Sequence, residues 1–305
     1  RLAPKVLARP RSIPGLPLRW KRFTQSVSGK RLNLMINISA LLSIYHRTTP
    51  GELDNCLTSI KNQSLQPIET VIVLDGPVNP DIPRIIGHFK SDLNIKKATF
   101  PLQRGLGPAL RDGLEVCAGP LVARVDTDDV SVPQRFWWQH EFLEANPSVR
   151  VLGGWLREHY PDAPRESSFI RKLPQTHEEL AVFARKRNPL NHPTVMFFKD
   201  TIMGVGSYID YSWFEDYQLW SRVLLGGYQI ANLPRVLVEA KADVNYFARR
   251  GGWQYVRAEI QFLKSLRKNG FLTRLQSAHF LVARLPVRLV PATIRRRFYR
   301  TLLRI

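Results

Sequence analysis

Three carboxylates follow a short apolar segment near the middle of the chain. Residues 121–125 read Leu-Val-Ala-Arg-Val and predict a strand, and Asp126, Asp128 and Asp129 come directly after it. In open α/β sheets, ligands bind at the carboxyl ends of the strands. An Asp-x-Asp sequence at such an end can hold a hard divalent cation, which in turn binds a diphosphate. The pattern therefore indicates a metal site.

A cap for the following helix is the alternative interpretation, because Asp is favoured at helix N-caps. One carboxylate is enough for a cap. Three carboxylates in such a short segment repel one another unless a cation or hydrogen-bond donors compensate their charge. The metal site is the stronger interpretation on that ground.

Two more carboxylate positions lie at the ends of predicted elements. Asp75 ends a predicted strand, and Glu215 and Asp216 begin a helix after a loop. In a doubly wound sheet, Asp75 and Asp126 would share one edge and hold a nucleotide base and ribose, while Asp128 binds the metal. For Glu215 and Asp216, the alternative is that they only stabilise the positive N-terminus of the helix.

Strands alternate with helices over the first half of the chain. Thr49 and Glu52 flank Pro50 in the pattern of a capping box, which marks a helix start. The predicted strands cover 34–45, 71–76, 95–100, 121–125 and 149–156, and the predicted helices lie near 50–60, 82–90, 105–117 and 133–145. This alternation predicts an α/β fold with a mostly parallel sheet.

The second half of the sequence is less regular between 157 and 200. A helix follows Glu215, and the sequence from Gly252 onward predicts further helices. Three residues are expected to interrupt those helices: Gly270, Pro286 and Pro291.

The composition argues against several kinds of site. Cys56 and Cys117 are the only cysteines, which argues against a disulfide framework or a cysteine zinc site and for a reducing compartment. The sequence contains no phosphate-loop, nucleophile-elbow or dinucleotide-binding glycine motif. No uncharged apolar run reaches the roughly 18 residues that span a bilayer.

The net charge of +20 is concentrated at the two ends of the chain. Residues 1–31 contain nine Lys/Arg and no acidic residue, and residues 249–305 contain fourteen Lys/Arg and only Glu259. Residues 32–248 hold the remaining 22 basic and 24 acidic side chains. We therefore expect a basic N-terminal arm over 1–31, a catalytic domain over 32–248, and a basic helical region over 249–305 that contacts an anionic membrane surface.

Residues 291–305 predict a basic amphipathic helix. Ile294, Phe298, Leu302 and Ile305 recur at helical spacing, and arginines form a second stripe. Helices of this kind lie in a membrane interface. A helix packed on the catalytic domain, with its arginine face in solvent, is the alternative.

Seven segments of the sequence, taken in order, resemble glycosyltransferase family 2. They are 38–45, 57–64, 71–76, 105–113, 124–129, 191–195 and 214–220. The resemblance extends over about residues 36 to 260 and is nearest to bacterial transferases of capsule and exopolysaccharide assembly, of the amylovoran type. It implies a GT-A fold and an inverting transfer of a hexose from a nucleotide-sugar donor. Together with the basic C-terminal region, it leads to the hypothesis of a lipid-linked or oligosaccharide acceptor at the cytoplasmic face of the membrane.

The resemblance implies roles for individual residues. Asp75 would bind the nucleobase, Asp126 the ribose or the metal, and Asp128 the metal, which would be Mg²⁺ or Mn²⁺. Asp216, with Glu215 beside it, would be the general base that takes the proton of the acceptor hydroxyl. Further donor contacts are implied for Ser43, Tyr45 and Arg111. Relatives usually carry Asn at the last of these positions, where arginine could pair with phosphate instead.

Three more residues have roles that the sequence leaves open. His192 either contacts the acceptor or orients its loop beside Pro193. Arg249 and Arg250 could close over the diphosphate, because arginine suits phosphate. A solvated helix start is the alternative for these two arginines.

Two other classes of protein compete with this interpretation. A sugar nucleotidyltransferase would also combine an α/β fold with carboxylates and a metal, but its Gly-rich basic phosphate loop near the first strand is missing. A nucleic-acid-binding protein would fit the pI of about 10.4, yet the central region is slightly acidic and carries no recognised binding motif. The sequence therefore favours the glycosyltransferase and predicts no nucleic-acid partner.

Overall fold

The computed structural model describes residues 37–160, 167–241 and 251–289. Within these ranges, nine strands form one sheet: β1 (Ile38–Ile44), β2 (Glu69–Asp75), β3 (Ile95–Phe100), β4 (Leu121–Arg124), β5 (Asp129–Ser131), β6 (Val149–Tyr160), β7 (Ser167–Arg171), β8 (Met196–Phe198) and β9 (Gln229–Lys241). The helices are α1 (Pro50–Lys61), α2 (Ile82–His88), α3 (Leu106–Val116), α4 (Arg135–Ala145), α5 (His177–Phe183), α6 (Lys199–Gly204), α7 (Glu215–Leu225), α8 (Trp253–Lys268) and α9 (Arg274–Leu289).

The first four strands form a parallel unit. Strand β1 pairs in parallel with β2 and β4, and β2 pairs in parallel with β3. Nearly every residue of β1 and β2 is buried, as expected for parallel strands that helices cover on both faces. Because these strands run in one direction, Ser43, Asp75 and Asp126 come to the same carboxyl edge.

The capping box predicted at the start of α1 is confirmed. The Thr49 side-chain oxygen accepts from the Glu52 amide at 3.3 Å, and Glu52 Oε2 accepts from the Thr49 amide at 3.0 Å. These bonds satisfy amides that the first helical turn leaves without an internal partner. They fix the turn that leads from β1 into α1, and Tyr45 lies in this turn.

Helix α3 packs closely against the sheet at a glycine. A Cβ atom on Gly113 would lie 2.5 Å from Val73 Cγ2 and 2.6 Å from Leu41 Cδ1. Glycine at this position therefore lets the helix approach β1 and β2 directly. The helix begins after Gly105, whose φ of +96° is in the range that favours glycine.

The rest of the sheet is mixed in direction. The strand order is β3-β2-β1-β4-β8-β6-β9-β5, and β7 pairs with the C-terminal part of β6. Strands β6 and β9 are parallel over their length, whereas β8, β7 and β5 are antiparallel to their neighbours. Residues 157–200, predicted to be irregular, contain β7, α5 and β8. These elements are short, so their sequences carry little periodicity.

Helices α8 and α9 pack against α7 through aromatic rings. Phe214, just before α7, stacks on the fully buried Phe262 of α8 with ring centroids 4.6 Å apart. Glu259 of α8 is buried and forms ion pairs with Arg284 at 3.2 Å and with Arg288 at 3.1 Å. The helical pair is therefore attached to the helix that begins with Glu215 and Asp216.

The expected interruption at Gly270 is confirmed, and the one at Pro286 is wrong. Gly270 separates α8 from α9 with a φ of +76°, but α9 continues through Pro286 to Leu289. Proline removes one helical hydrogen bond and crowds the preceding turn. Arg284 and Arg288, on either side of Pro286, are both bound to Glu259, and these contacts hold the helix together.

Several predictions concern residues beyond the described ranges. They are the basic arm over 1–31, the interruption at Pro291 and the amphipathic stripe within 291–305. Among the described residues, no helix is both long and apolar enough to cross a lipid bilayer.

Candidate active site

A cleft of about 1820 Å³ lies at the carboxyl ends of β1, β2 and β4 and extends to β7, the segment after α5, and α9. Eight of the residues predicted from the sequence line it: Ser43, Tyr45, Asp75, Asp126, Asp128, His192, Glu215 and Asp216. The fold therefore brings together residues that are far apart in the sequence.

Asp75 organises the loop that precedes α3. Its Oδ1 accepts from the Arg104 amide at 2.9 Å, and its Oδ2 accepts from the Gly105 amide at 2.9 Å. The side chain is buried. Each carboxylate oxygen has a second lone pair, so Asp75 can still accept a bond from a nucleobase. Asp75 therefore stabilises this loop, a role that the sequence did not predict. Its contact with a nucleobase stays a prediction.

The three carboxylates after β4 converge. Asp126, Asp128 and Asp129 each offer an oxygen, and these oxygens lie within 4.8 Å of one another. Asp128 reaches the solvent of the cleft, whereas Asp129 is buried at the start of β5. Desolvation within the cleft and the charge of Asp126 raise the pKa of Asp128 to about 6. Burial and the charges of the other two carboxylates raise the pKa of Asp129 well above its usual range.

These residues fit a divalent cation. A bound cation relieves the mutual repulsion that raises the two pKa values, and carboxylate oxygens are the ligands that Mg²⁺ and Mn²⁺ prefer. Asp129 is a third candidate ligand beside the predicted Asp126 and Asp128. The alternative of a helix cap is wrong, because Gln134 occupies the position before α4 and no side-chain cap is formed there.

Two buried arginines fix the strand end that carries Asp126. The guanidinium of Arg124 donates to both carboxylate oxygens of Asp126. Below it, Arg135 Nη2 donates to the Arg124 carbonyl oxygen at 2.7 Å, and Arg135 Nη1 donates to Ser131 Oγ at 3.0 Å. Bidentate arginine contacts add geometric specificity as well as charge. Arg124 therefore both aims Asp126 and compensates part of the negative charge.

Glu215 and Asp216 are the first two residues of α7, and both line the cleft. Asn188 Nδ2 donates to Asp216 Oδ2 at 2.6 Å, and the Tyr217 amide donates to Asp216 Oδ1 at 2.7 Å. Burial raises the pKa of both carboxyl groups, and the charge of Asp216 contributes to the pKa of about 8 at Glu215. The Asn188 bond opposes the rise at Asp216. Both groups therefore keep their protons to a higher pH than free carboxyl groups do.

His192 is buried beneath the cleft. Its Nε2 lies 2.9 Å from Tyr208 Oη, and its ring meets the Trp220 ring edge-on at a centroid distance of 6.1 Å. Burial, with a smaller contribution from the charge of Arg124, holds the pKa of His192 well below its usual range. The sequence left two roles open for His192, and these contacts favour the one in which it orients its loop. The contact with the acceptor stays a prediction.

The structure does not bring Arg111 into the cleft. Its Nε donates to Asp112 Oδ1 at 2.8 Å, and its side chain is not among those that line the cavity. The contact between Arg111 and the donor stays a prediction, and the position of the side chain outside the cleft does not support it. Arg249 and Arg250 lie outside the described residues.

Sequence reasoning missed three residues of the site. Nothing local to Asn188 indicated that its amide would reach Asp216, and Arg124 was placed in a strand and in a family-like segment without a role of its own. Trp213 lies at the edge of the cleft, is 45% exposed, and has a φ of +68° that a bulky side chain rarely adopts. Its position just before the carboxylate pair was the only available signal.

Residues 39–204 match the family model described as glycosyl transferase family 2. The match covers more than half of the chain, and the chain belongs to this family. It is 35% identical over 264 residues to the amylovoran biosynthesis glycosyltransferase AmsE of Erwinia amylovora, covering 86% of this chain and 97% of that protein. It is also 33% identical over 266 residues to the UDP-Gal:alpha-D-GlcNAc-diphosphoundecaprenol beta-1,3-galactosyltransferase of Escherichia coli, covering 87% of this chain and 96% of that protein.

The fold resembles that of a solved structure. TarS of S. aureus, residues 1–349, in complex with UDP-GlcNAc, has a TM-score of 0.58 at 16% identity, covering 82% of this chain and 71% of that chain. The predicted α/β fold of GT-A type is confirmed. Family membership also decides among the three classes that the sequence left open, in favour of the glycosyltransferase.

Proposed function

We propose that this protein is a metal-dependent, inverting hexosyltransferase that moves a sugar from a nucleoside diphosphate to a lipid-linked saccharide in bacterial polysaccharide assembly. One observation carries the proposal. The acidic triad, which is Asp126, Asp128 and Asp129, lies in the same cleft as the carboxylate pair Glu215 and Asp216. A metal site for a diphosphate and a base for a hydroxyl are the two parts that such a transfer requires.

The strand ends of β1 and β2 would bind the nucleoside. Ser43, Tyr45 and Asp75 line this part of the cleft, and the buried Asp75 carboxylate supports contact with a base. The name of the Escherichia coli relative specifies UDP-Gal as its donor. UDP-hexoses are therefore the first donors to test.

The acidic triad would hold Mg²⁺ or Mn²⁺ beside the donor diphosphate. When bound, the cation would stabilise the negative charge that grows on the leaving diphosphate. The contribution of the protein is to place the ligands, because Arg124 fixes the carboxylate of Asp126 from below.

Asp216 would be the general base. Asn188 donates to one of its oxygens and orients it, and this bond favours the charged form that a base needs. In an inverting transfer, one base takes the proton of the acceptor hydroxyl while that oxygen bonds to the anomeric carbon. The nucleoside diphosphate leaves from the opposite face of the sugar. Glu215, whose pKa burial and the charge of Asp216 raise to about 8, would lie beside the base as its neighbour in the pair.

The acceptor would be presented at a membrane surface. The relative from Escherichia coli is named for a saccharide carried on diphosphoundecaprenol, which supports a lipid-linked acceptor here. The surplus of basic residues over 249–305 supports contact with anionic lipid, because each basic side chain near such a surface adds up to about 1 kcal/mol. We propose peripheral attachment at the cytoplasmic face.

A transfer assay tests this function. The full chain is incubated with a panel of nucleotide sugars that includes UDP-Gal, with Mg²⁺ or Mn²⁺, and with a GlcNAc-diphosphate-alkyl acceptor. We expect release of the nucleoside diphosphate and a new glycoside whose anomeric configuration, measured by NMR, is inverted. EDTA should stop the reaction. Retained configuration would refute inversion, and a full rate in EDTA would refute the metal. Failure of every donor with every saccharide acceptor would refute the function itself.

A further inference from the structure

Four basic side chains line one wall of the cleft. Arg171 and Lys172 lie at the end of β7, and Arg185 and Lys186 follow α5. The two lysines are exposed and the two arginines are half-buried. These four residues, the cationic wall, have no part in the donor site or in the carboxylate pair described above.

The cationic wall has no ion-pair partner among the residues that the structure describes. Among the described residues, no carboxylate forms an ion pair with any of its four members. Other arginines of the same cleft are paired, since Arg124 binds Asp126 and Arg284 binds Glu259.

Aromatic rings position two of these cations. Lys172 Nζ lies 5.2 Å from the centroid of the Trp155 ring, and Arg185 Cζ lies 4.2 Å from the centroid of the Phe271 ring. A ring face attracts a cation without removing its charge. The side chains are therefore held in place while their positive charge stays available to an anion in the cleft.

The cationic wall lies on the side of the cleft that carries the base. The positive charge of Arg171 acts on Asp216, and Asn188, which donates to Asp216, follows the second pair of cations along the chain. Ser43 and Asp75 come from β1 and β2, which lie on the other side of β4 in the sheet order. An anion on this wall would therefore belong to the acceptor.

We infer that the cationic wall binds the phosphate groups that join the acceptor saccharide to its lipid, and so holds the acceptor hydroxyl against Asp216. This inference rests on the proposed function. Arginine and lysine are the side chains suited to phosphate oxygens. A neutral saccharide offers these cations no charge, whereas a diphosphate diester offers two negative charges and several acceptor oxygens. The donor diphosphate is the other source of the same chemistry, and the experiment separates the two.

The first test compares two acceptors that differ only in charge. The full chain and the variant Lys172→Gln/Lys186→Gln are assayed at saturating donor with GlcNAc-diphosphate-alkyl and with neutral GlcNAc-alkyl. Both lysines are exposed, so the variant should fold normally. We expect the KM for the diphosphate acceptor to rise about tenfold or more, because charge-assisted hydrogen bonds are lost. The KM for the neutral acceptor should not change. The matched control is Lys96→Gln/Lys97→Gln, two exposed lysines on β3 outside the cleft.

The second test measures binding without transfer. Calorimetric titration of decyl diphosphate should give a Kd that rises about tenfold in the same variant and in Arg171→Gln, while the Kd for UDP stays constant. An unchanged Kd for decyl diphosphate, or equal losses with both acceptors, would overturn the inference. If UDP displaces decyl diphosphate, and if the Kd for UDP rises in the variants, the cationic wall binds the donor diphosphate. That result would also overturn the inference. If the unmodified protein transfers no sugar at all, the proposed function is refuted. The titration still decides separately whether the cationic wall binds a diphosphate.

Discussion

The donor side and the acceptor side of the cleft are built in different ways. The donor side comes from the ends of β1, β2 and β4, parallel strands that lie close together in the sequence. The acceptor side comes from β7, α5, α7 and α9, which the chain supplies from distant segments. One side carries the acidic triad, and the other combines a carboxylate pair with the cationic wall. Local crossovers thus bring together the residues of the proposed nucleotide site, whereas the proposed acceptor site depends on long-range packing.

If this division is correct, substitutions on the two sides of the cleft should have different effects on transfer and on nucleotide binding. A change on the acceptor side should reduce transfer and leave nucleotide binding intact. A change in the acidic triad should weaken both. The variants below test that division, beginning with the largest expected loss.

The largest loss is expected from Asp216→Asn. The asparagine keeps the size of the side chain but takes no proton, so kcat should fall by roughly 10²–10⁴-fold while the Kd for the nucleotide stays constant. Steady-state kinetics and calorimetry measure the two quantities. Glu215→Gln is the matched neighbour and should lose much less. A dead Glu215→Gln enzyme beside an active Asp216→Asn enzyme would transfer the role of the base to Glu215.

Asp128→Asn should lower transfer on the order of 10²–10³-fold, because the cation that stabilises the leaving diphosphate loses a ligand. Unlike Asp216→Asn, it should also weaken nucleotide binding in the presence of Mn²⁺. Asp81→Asn, an exposed aspartate outside the cleft, is the control and should behave like the unmodified protein. Normal metal-dependent binding in Asp128→Asn would show that the acidic triad is not the metal site.

Phe262→Ala tests whether α8 and α9 are firmly packed on the start of α7, which carries the carboxylate pair. Phe262 is fully buried and stacks on Phe214, so its removal should lower the free energy of unfolding by about 3–5 kcal/mol. Denaturant titration followed by circular dichroism measures this loss. Leu275→Ala, at an α9 position that is 84% exposed, should change stability by no more than about 0.5 kcal/mol. Equal stability of the two variants would mean that the helical pair is only loosely attached.

The smallest effect concerns the pH dependence. Asn188→Ala removes a hydrogen bond that favours the charged form of Asp216, so the pKa of Asp216 should rise further. A base must be ionised to act, and the acid limb of the kcat profile should therefore move to higher pH, by about one unit. Asn146→Ala is the control, because Asn146 caps α4 away from the cleft through the Phe142 carbonyl. An unmoved acid limb would show that Asp216 is not the titrating base.

The same division explains what the sequence could predict. The capping box of Thr49 and Glu52, the strand before Asp75 and the order of crossovers are local patterns, and each is found in the structure. The convergence of Asp126, Asp128 and Asp129 also follows from neighbours in sequence.

The acceptor side left few local signals. Asn188 reaches Asp216 across 28 positions of the chain. The short β7 strand that leads to Arg171 lies where the sequence predicted irregular structure. In each case the contact is fixed by tertiary packing, which overrides the weak propensity of a short segment.

The most direct test of this account is a calorimetric titration of UDP in the presence of Mn²⁺ into three proteins: the unmodified chain, Asp128→Asn and Asp216→Asn. We predict Mn²⁺-dependent binding in the unmodified chain and in Asp216→Asn with the same Kd, and loss of the Mn²⁺ dependence in Asp128→Asn. Loss of UDP binding in Asp216→Asn together with normal Mn²⁺-dependent binding in Asp128→Asn would contradict the account. The nucleotide would then bind on the side of the cleft that is assigned here to the acceptor.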